Sequence, residues 1–175
     1  MKLEKVNGYY IPASNQKPLL ENVNTEKFFM WCDAQNKNFK TVIDIGAGCG
    51  VISKKFAPRS KKIYAFESNK IYFNCLEKNT FNISQIVEPN NFLIGITSTV
   101  DKVETRTLDS FNFLNTDVIL INGKNKIEIL ESAQKLMKSC RYVLVKNDSD
   151  VSSYLKNINY RLILEDVDTG VFCCV

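Results

Sequence analysis

The stretch Val42-Ile43-Asp44-Ile45-Gly46-Ala47-Gly48-Cys49-Gly50 constrains this chain more than any other. A short apolar run carries an acid near its end and passes into glycines at alternate positions. Glycines without side chains let a backbone turn tightly and let a ligand approach the main chain. A second apolar run, Ile63-Tyr64-Ala65-Phe66, follows and is tipped by Glu67. Between them Val51–Phe56 reads as a short helix ended by Ala57-Pro58-Arg59. Strand, glycine turn, helix and acid-tipped strand describe a unit that binds nucleoside-containing cofactors.

The rest of the chain continues the alternation. Residues 1–23 read as irregular, broken by Gly8-Tyr9-Tyr10-Ile11-Pro12 and Lys17-Pro18. Asn24 before Thr25-Glu26-Lys27 reads as a helix cap. The helix it opens runs to Asn36, buries Phe28, Phe29, Trp31 and Cys32, and leans on the first strand. That strand, Thr41–Ile45, is nearly all apolar, as a buried parallel strand is. The second is Lys62–Phe66, followed by a helix over Lys70–Asn79 with Tyr72, Phe73, Cys75 and Leu76 inward. For the third strand Phe92–Ile96 is preferred to Gln85-Ile86-Val87, because Pro89 and Asn90-Asn91 interrupt the latter. Val103–Leu108 fits a short strand or an extended loop. Strand four is Asp117–Ile121, and helical periodicity covers Lys126–Ser139. Strand five is Tyr142–Val145, and Asp148-Ser149-Asp150 caps a short helix to Lys156. Tyr160–Leu164 and Val171–Val175 close the chain as an antiparallel pair around Asp166–Gly170.

This order predicts an α/β, three-layer Rossmann-like sheet, mostly parallel, with an antiparallel last strand. A chain of 175 residues is long enough for one domain and too short for two ordinary ones. Residues 1–40 are expected to form a leader and a pre-sheet helix, and 41–175 the core.

Composition narrows the chemistry. No apolar run approaches the roughly 20 residues of a membrane helix, and Met1–Asn7 has no signal-peptide apolar region. The expected location is the cytoplasm, with no membrane partner. The six cysteines, Cys32, Cys49, Cys75, Cys140, Cys173 and Cys174, form no Cys-x-x-Cys pair, and there is no His. No metal is expected, and the thiols are expected to be reduced and mostly buried. Without His, any proton must go to Asp, Glu, Lys, Tyr or solvent. A net charge of +4 permits a nucleic-acid partner without demanding one.

The glycine spacing and the acid favour S-adenosylmethionine as cofactor. A dinucleotide fingerprint, Gly-x-Gly-x-x-Gly, would need glycine where Val51 stands. Asp44, Gly46, Ala47, Gly48, Gly50 and Glu67 are the expected cofactor-lining residues. Asp44 would hold the methionine amino group directly or through water. Glu67 would take both ribose hydroxyls, since a carboxylate offers two acceptors. A sheet with an antiparallel seventh strand is the class I methyltransferase architecture.

The sequence resembles the FkbM-type methyltransferases. Val42–Ser53 is similar to that family's Asp-x-Gly-Ala-x-x-Gly opening, and Ile63–Ser68 to its Phe-Glu-Pro, with Ser68 in place of Pro. Asn79 falls where the family has asparagine, and Thr107-Leu108-Asp109 resembles its Thr-Leu-Asp element. Tyr9-Tyr10-Ile11-Pro12 resembles the leader of small phage-encoded members, which would place a virus-encoded protein in the host cytoplasm. The resemblance implies methylation of a hydroxyl on a small, sugar-like acceptor. One departure stands out: the family's Lys-Ile-Asp-x-Glu-Gly after strand four is here Leu120-Ile121-Asn122-Gly123-Lys124-Asn125, with Asn122 in place of the Asp.

Acceptors of an open parallel sheet lie at the carboxyl ends of strands four and five. Those ends carry Asn122 and Lys124, then Lys146 and Asp148, the candidate acceptor-positioning residues. A second reading is ribose 2′-O methylation of RNA, whose enzymes resemble a Lys-Asp-Lys-Glu tetrad. Lys27, Asn122, Lys146 and Glu165 follow that order, again with Asn for Asp. A third is a non-catalytic binding or assembly module on the same fold. The chain carries no inserted recognition domain, so the acceptor is small or a protein partner supplies the recognition.

Overall fold

Seven strands lie side by side in one sheet, and their order follows from which segments are apolar on both faces. The structure is a computed structural model that describes residues 2–13, 25–96, 104–166 and 169–175. The predicted cap Asn24, Lys17-Pro18, Val103 and the middle of the last turn lie outside the described residues.

The N-terminal segment corrects the expectation of irregular chain. Leu3–Val6 (β1) and Tyr9–Pro12 (β2) form an antiparallel hairpin. Its two-residue turn is Asn7-Gly8, both at positive φ (48° and 83°), the geometry that suits the twist of a hairpin. Gly8 therefore joins the strands. Helix Glu26–Ala34 (α1) follows, with Phe28 and Cys32 buried and Phe29 and Trp31 partly so. The Phe28 ring stacks on Phe39 and meets Phe56 and Tyr142, which fixes the helix against the sheet.

The core runs Phe39–Ile45 (β3), Val51–Phe56 (α2), Ser60–Phe66 (β4), Lys70–Thr80 (α3) and Val87–Asn90 (β5). The third sheet strand is thus β5 and not Phe92–Ile96. β5 is the sheet's outer strand and pairs only with β4, so Pro89 costs no ladder bond on its far side. Leu93–Ile94 (β6) instead pairs with Thr105–Arg106 (β7) in a separate two-stranded sheet. After a 3-10 turn at Leu108–Phe111, Thr116–Ile121 (β8) returns to the sheet with every residue buried.

The predicted helix over Lys126–Ser139 is broken into Lys126–Glu131 (α4) and Gln134–Met137 (α5). Ser132 stands at the break: its backbone oxygen accepts from Asp109 N and its hydroxyl from Leu108 N. The Asp109 carboxylate accepts from Lys135 N and Leu136 N, capping α5. The Thr-Leu-Asp element is therefore a helix cap here. Tyr142–Lys146 (β9), Ser149–Asn157 (α6), Tyr160–Asp166 (β10) and Thr169–Cys174 (β11) complete the chain.

The sheet order is β10-β11-β9-β8-β3-β4-β5, with β11 antiparallel to both neighbours and all other pairs parallel. This is the mostly parallel, three-layer sheet that the sequence predicts. The order reverses at β3, so the ends of β3, β4 and β8 border one crevice. Among the described residues no helix is long and apolar enough to cross a membrane.

Phe28 is 1% exposed at the centre of the aromatic cluster that seats α1, whereas Phe81 is 76% exposed. Phe28→Ala is expected to cost about 3–5 kcal/mol in urea unfolding, the range for a buried phenylalanine. Phe81→Ala should stay within about 0.5 kcal/mol. Equal losses would mean that α1 does not brace the sheet.

Candidate functional site

The crevice is built by register. Ile45 pairs with Phe66 and with Ile121, so β3, β4 and β8 end level with one another. The Phe66 carbonyl accepts from both Gly46 N (2.9 Å) and Ala47 N (3.0 Å), which folds the glycine loop over the end of β4. Gly46 has φ +75°, and a Cβ there would lie 3.2–3.3 Å from Asn122, so the loop and the β8 end are in close contact. At Gly48, also at positive φ (+55°), a Cβ would meet nothing within 4 Å. That open space on the loop is where a ligand could approach the main chain.

Glu67 is buried at this point, only 8% exposed. Its Oε2 accepts from Gly48 N (2.8 Å) and its Oε1 from Asn69 N (2.7 Å). Its backbone is also tied down, with Glu67 N donating to Asn90 O and Asn91 Nδ2 donating to Glu67 O (2.7 Å). Each carboxylate oxygen has a second acceptor position. The group therefore keeps two adjacent acceptors, a match for the vicinal diol of a ribose. Burial pushes its pKa up, against the lowering effect of the backbone N–H groups of Asn69, Gly48 and Ser68.

Asp44 has no exposed surface. Ser53 Oγ donates to its Oδ2 (2.6 Å), and Asn122 Nδ2 lies 3.4 Å from its Oδ1. Its charge therefore reaches the crevice through Asn122 and the first turn of α2, not through a surface of its own. Burial raises its pKa from 3.8 to about 6, Ser53 and Asn122 oppose the rise, and the Glu67 charge adds to it. An Asp at position 122 would set a second carboxylate against this one. An Asn offers a donor instead, which gives the departure at Asn122 a physical reason.

Beside the loop lies a cleft of about 360 Å³. Phe66, Phe92 and Ile94 give it an apolar wall, and Ser68, Lys124 and Glu128 polar edges. An apolar slot beside a diol-matching carboxylate and a glycine-rich loop fits an adenosyl group.

The structure brings Asp44, Gly46, Gly48, Glu67, Asn122 and Lys124 together around the crevice. Ala47 and Gly50 complete the loop, with Gly50 N donating to Ala47 O. The end of β9 is different. Asp148 caps α6 through Val151 N (2.9 Å) and pairs with Lys126 Nζ (2.5 Å), which lowers its pKa. The cap on α6 is the one that the sequence predicts for Asp148, and the Lys126 pair engages its other oxygen. Lys146 is exposed at the same strand end. Neither lines the 360 Å³ cleft. Lys27 Nζ donates to Glu165 O (3.1 Å), and Asn147 Nδ2 to Glu165 Oε1 (2.7 Å), so the first and last of the four tetrad-like residues meet.

Sequence reasoning gave no role to Ser53 or Glu128, and it noted Asn79 only as matching an asparagine of the FkbM family. Ser53 is one helical turn past the glycines and reads as an ordinary helix residue. Glu128 accepts from Ile96 N (3.0 Å) and Asn125 Nδ2 (3.2 Å), joining the β6 end to the start of α4 across the cleft. Its signal would have been a carboxylate in the first turn of the helix after strand four.

Residues 13–149 match the family model of DREV methyltransferase. No curated protein matches the sequence. Among solved structures the chain is similar to the methyltransferase FkbM of Methylobacillus flagellatus KT, with a TM-score of 0.64 and 13% identity over 77% of this chain and 43% of that one. It is similar to a T. thermophilus 16S rRNA methyltransferase, RsmC, in complex with AdoMet and guanosine (TM-score 0.60, 13% identity, 98% of this chain, 48% of that one). A third is M. capricolum TrmK in complex with S-adenosylhomocysteine (TM-score 0.53, 18% identity, 78% and 62%). The chain thus spans less than two thirds of the length of each, and the likeness is one of fold.

The Asp44 shift has a sign that can be measured. Its carboxyl titrates near 3.8 in the unfolded chain and near 6 when folded, so the folded state holds an extra proton between those values. This group's contribution to stability is complete below 3.8 and is lost as pH rises through 6. Asp44→Asn should therefore gain in melting temperature relative to the parent as pH rises from 4 to 7. Parallel curves for the two proteins would show that Asp44 titrates normally.

Proposed function

The chain belongs to the DREV methyltransferase family, and from that premise we propose that it methylates a hydroxyl oxygen of a small, sugar-like acceptor. Its cofactor is S-adenosylmethionine, which the family and the cofactor-bound neighbours support. The observation that carries the reading is the Glu67 carboxylate, held by Gly48 N and Asn69 N beside the open face of the loop.

Each residue has a task in this reading. Glu67 holds the ribose hydroxyls, and Gly46, Ala47, Gly48 and Gly50 provide a surface free of large side chains. Phe66, Phe92 and Ile94 enclose the base and exclude water. Asp44, behind Asn122 and Ser53, keeps negative charge near the cationic part of the cofactor. When bound, the cofactor supplies a methyl group made electrophilic by its sulfonium. Asn122 and Lys124 orient the acceptor hydroxyl over the end of β8, which is the proximity that methyl transfer requires. Glu128, the carboxylate at the cleft's edge, takes the proton that the hydroxyl gives up. A hydroxyl on a sugar follows the FkbM resemblance, and the FkbM structure's likeness in fold is compatible with it. For any larger acceptor, a protein partner supplies the recognition surface.

The contact of Lys27 with Glu165 favours one second reading, ribose 2′-O methylation of RNA. Both lie at the sheet edge that also carries Asn122 and Lys146, because β8, β9 and β10 run parallel.

Thermal shift with S-adenosylmethionine and S-adenosylhomocysteine tests the cofactor. At 100 times its dissociation constant the ligand should add about 2.7 kcal/mol, a shift of several degrees. Glu67→Ala should weaken binding by about 1–3 kcal/mol, the range for lost charged hydrogen bonds. No shift in the parent would favour the non-catalytic module. Labelled-methyl transfer to a monosaccharide pool supports the first reading. Transfer to RNA that Lys27→Ala abolishes supports the second.

A further inference from the structure

The N-terminal hairpin and the glycine loop are joined by one buried side chain. Asn79 on α3 is 8% exposed and spans two elements that are far apart in sequence. Its Oδ1 accepts from Tyr10 N (2.7 Å), and its Nδ2 donates to Tyr10 O (2.9 Å) and to Cys49 O (2.8 Å). Both amide hydrogens are used. Two carbonyls and one N–H face the group, and only a primary amide meets that demand in so small a volume.

The hairpin's register explains why Tyr10 is the partner. Its two-residue turn makes Val6 and Tyr9 a hydrogen-bonded pair, so Lys5 and Tyr10 are a non-bonded pair. The Tyr10 N–H and C=O then point away from β1, and Asn79 pairs with both as a neighbouring strand would. Under the same hairpin, Ile11 (0% exposed) packs in one apolar cluster with Cys49 and Cys75. Cys49 stands between Gly48, bonded to Glu67, and Gly50, bonded to Ala47. The loop is thus held on its inner side by Glu67 and on its outer side by Asn79 and the hairpin.

We propose that Asn79 is a positioning residue for the cofactor loop, with the hairpin Leu3–Pro12 as its anchor. The inference rests on the cofactor reading above. A glycine-rich loop has little conformational preference of its own. Its shape must come from bonds at its edges, and the Cys49 peptide is set by Asn79. Asn79 touches no expected cofactor atom. It acts by keeping the loop shaped for the ligand before the ligand arrives, which lowers the ordering cost of binding.

The test compares Asn79→Ala and Asn79→Asp with Tyr160→Phe. The Tyr160 hydroxyl bonds Met137 O and Cys140 O, away from the loop, so its loss is a stability control. Calorimetry with S-adenosylhomocysteine should show affinity about tenfold weaker for both Asn79 variants, the scale of one to two lost hydrogen bonds. The Tyr160 variant should bind as the parent does. In turnover, the Asn79 variants should raise the cofactor KM and largely retain kcat. Hydrogen exchange without ligand gives an independent readout. The Gly48 and Gly50 amides should exchange faster in Asn79→Ala, with β3 and β8 unchanged. If the parent binds and both Asn79 variants bind within about twofold of it, with equal exchange at Gly48 and Gly50, the positioning role is overturned while the cofactor reading stands. If the parent does not bind, the cofactor reading fails, and unchanged exchange would still refute the clamp.

Discussion

The Phe66 carbonyl oxygen is the point on which the crevice depends. It accepts two N–H groups, from Gly46 and Ala47, at the place where β4 ends and Glu67 begins. A parallel strand pair alone leaves the strand ends free to diverge. This three-centred bond makes the loop after β3 a continuation of the β3–β4 ladder. The loop's next N–H, at Gly48, is then delivered to the Glu67 carboxylate. The close approach of Gly46 to Asn122 adds the end of β8 to the same corner. Three strand ends, one carboxylate and one amide side chain are thereby fixed with few long side chains.

The electrostatics follow from that compactness. Asp44 and Glu67 are both buried and both have raised pKa values, and the charge on Glu67 is one cause of the shift in Asp44. Two carboxylates with no cationic side chain bonded to either among the described residues are costly when ionised, and a cationic ligand relieves the cost. The positive charge of a sulfonium cofactor has that sign. The buried pair of carboxylates suits a cation, at some expense in stability above pH 6.

The cofactor half of the molecule was legible because its signals are local. A buried apolar strand, glycines at alternate positions and an acid at the next strand end lie within one short stretch, and each reports its own conformation. What escaped depends on partners distant in the chain. Asn7-Gly8 is a hairpin turn only because flanking strands pair, and the Pro12 nearby read as a breaker. Pro89 argued against a strand, yet an outer strand has no use for that N–H. The helical period over Lys126–Ser139 is real, but Ser132 and Asp109 divide it by bonds across more than twenty residues. Asn79 matched an asparagine of the FkbM family, but only the fold brings Tyr10 and Cys49 to it.

The far wall of the cleft is built from aromatic rings. Between β5 and β8 the described chain has short strands and a 3-10 turn, where α/β crossovers ordinarily place a longer helix. The face of the sheet there is covered by rings: Phe111 stacks on Phe113, meets Phe66 edge-on and lies near Phe92, which the Arg106 guanidinium covers. Phe66 and Phe92 belong both to this cluster and to the cleft wall. The packing of these rings therefore also forms the apolar surface a base would rest on. Glu128 then fixes the polar edge by holding Ile96 N from across the cleft. A single carboxylate so placed ties Ile96 to Asn125 at the start of α4, and Lys124 lines the same opening.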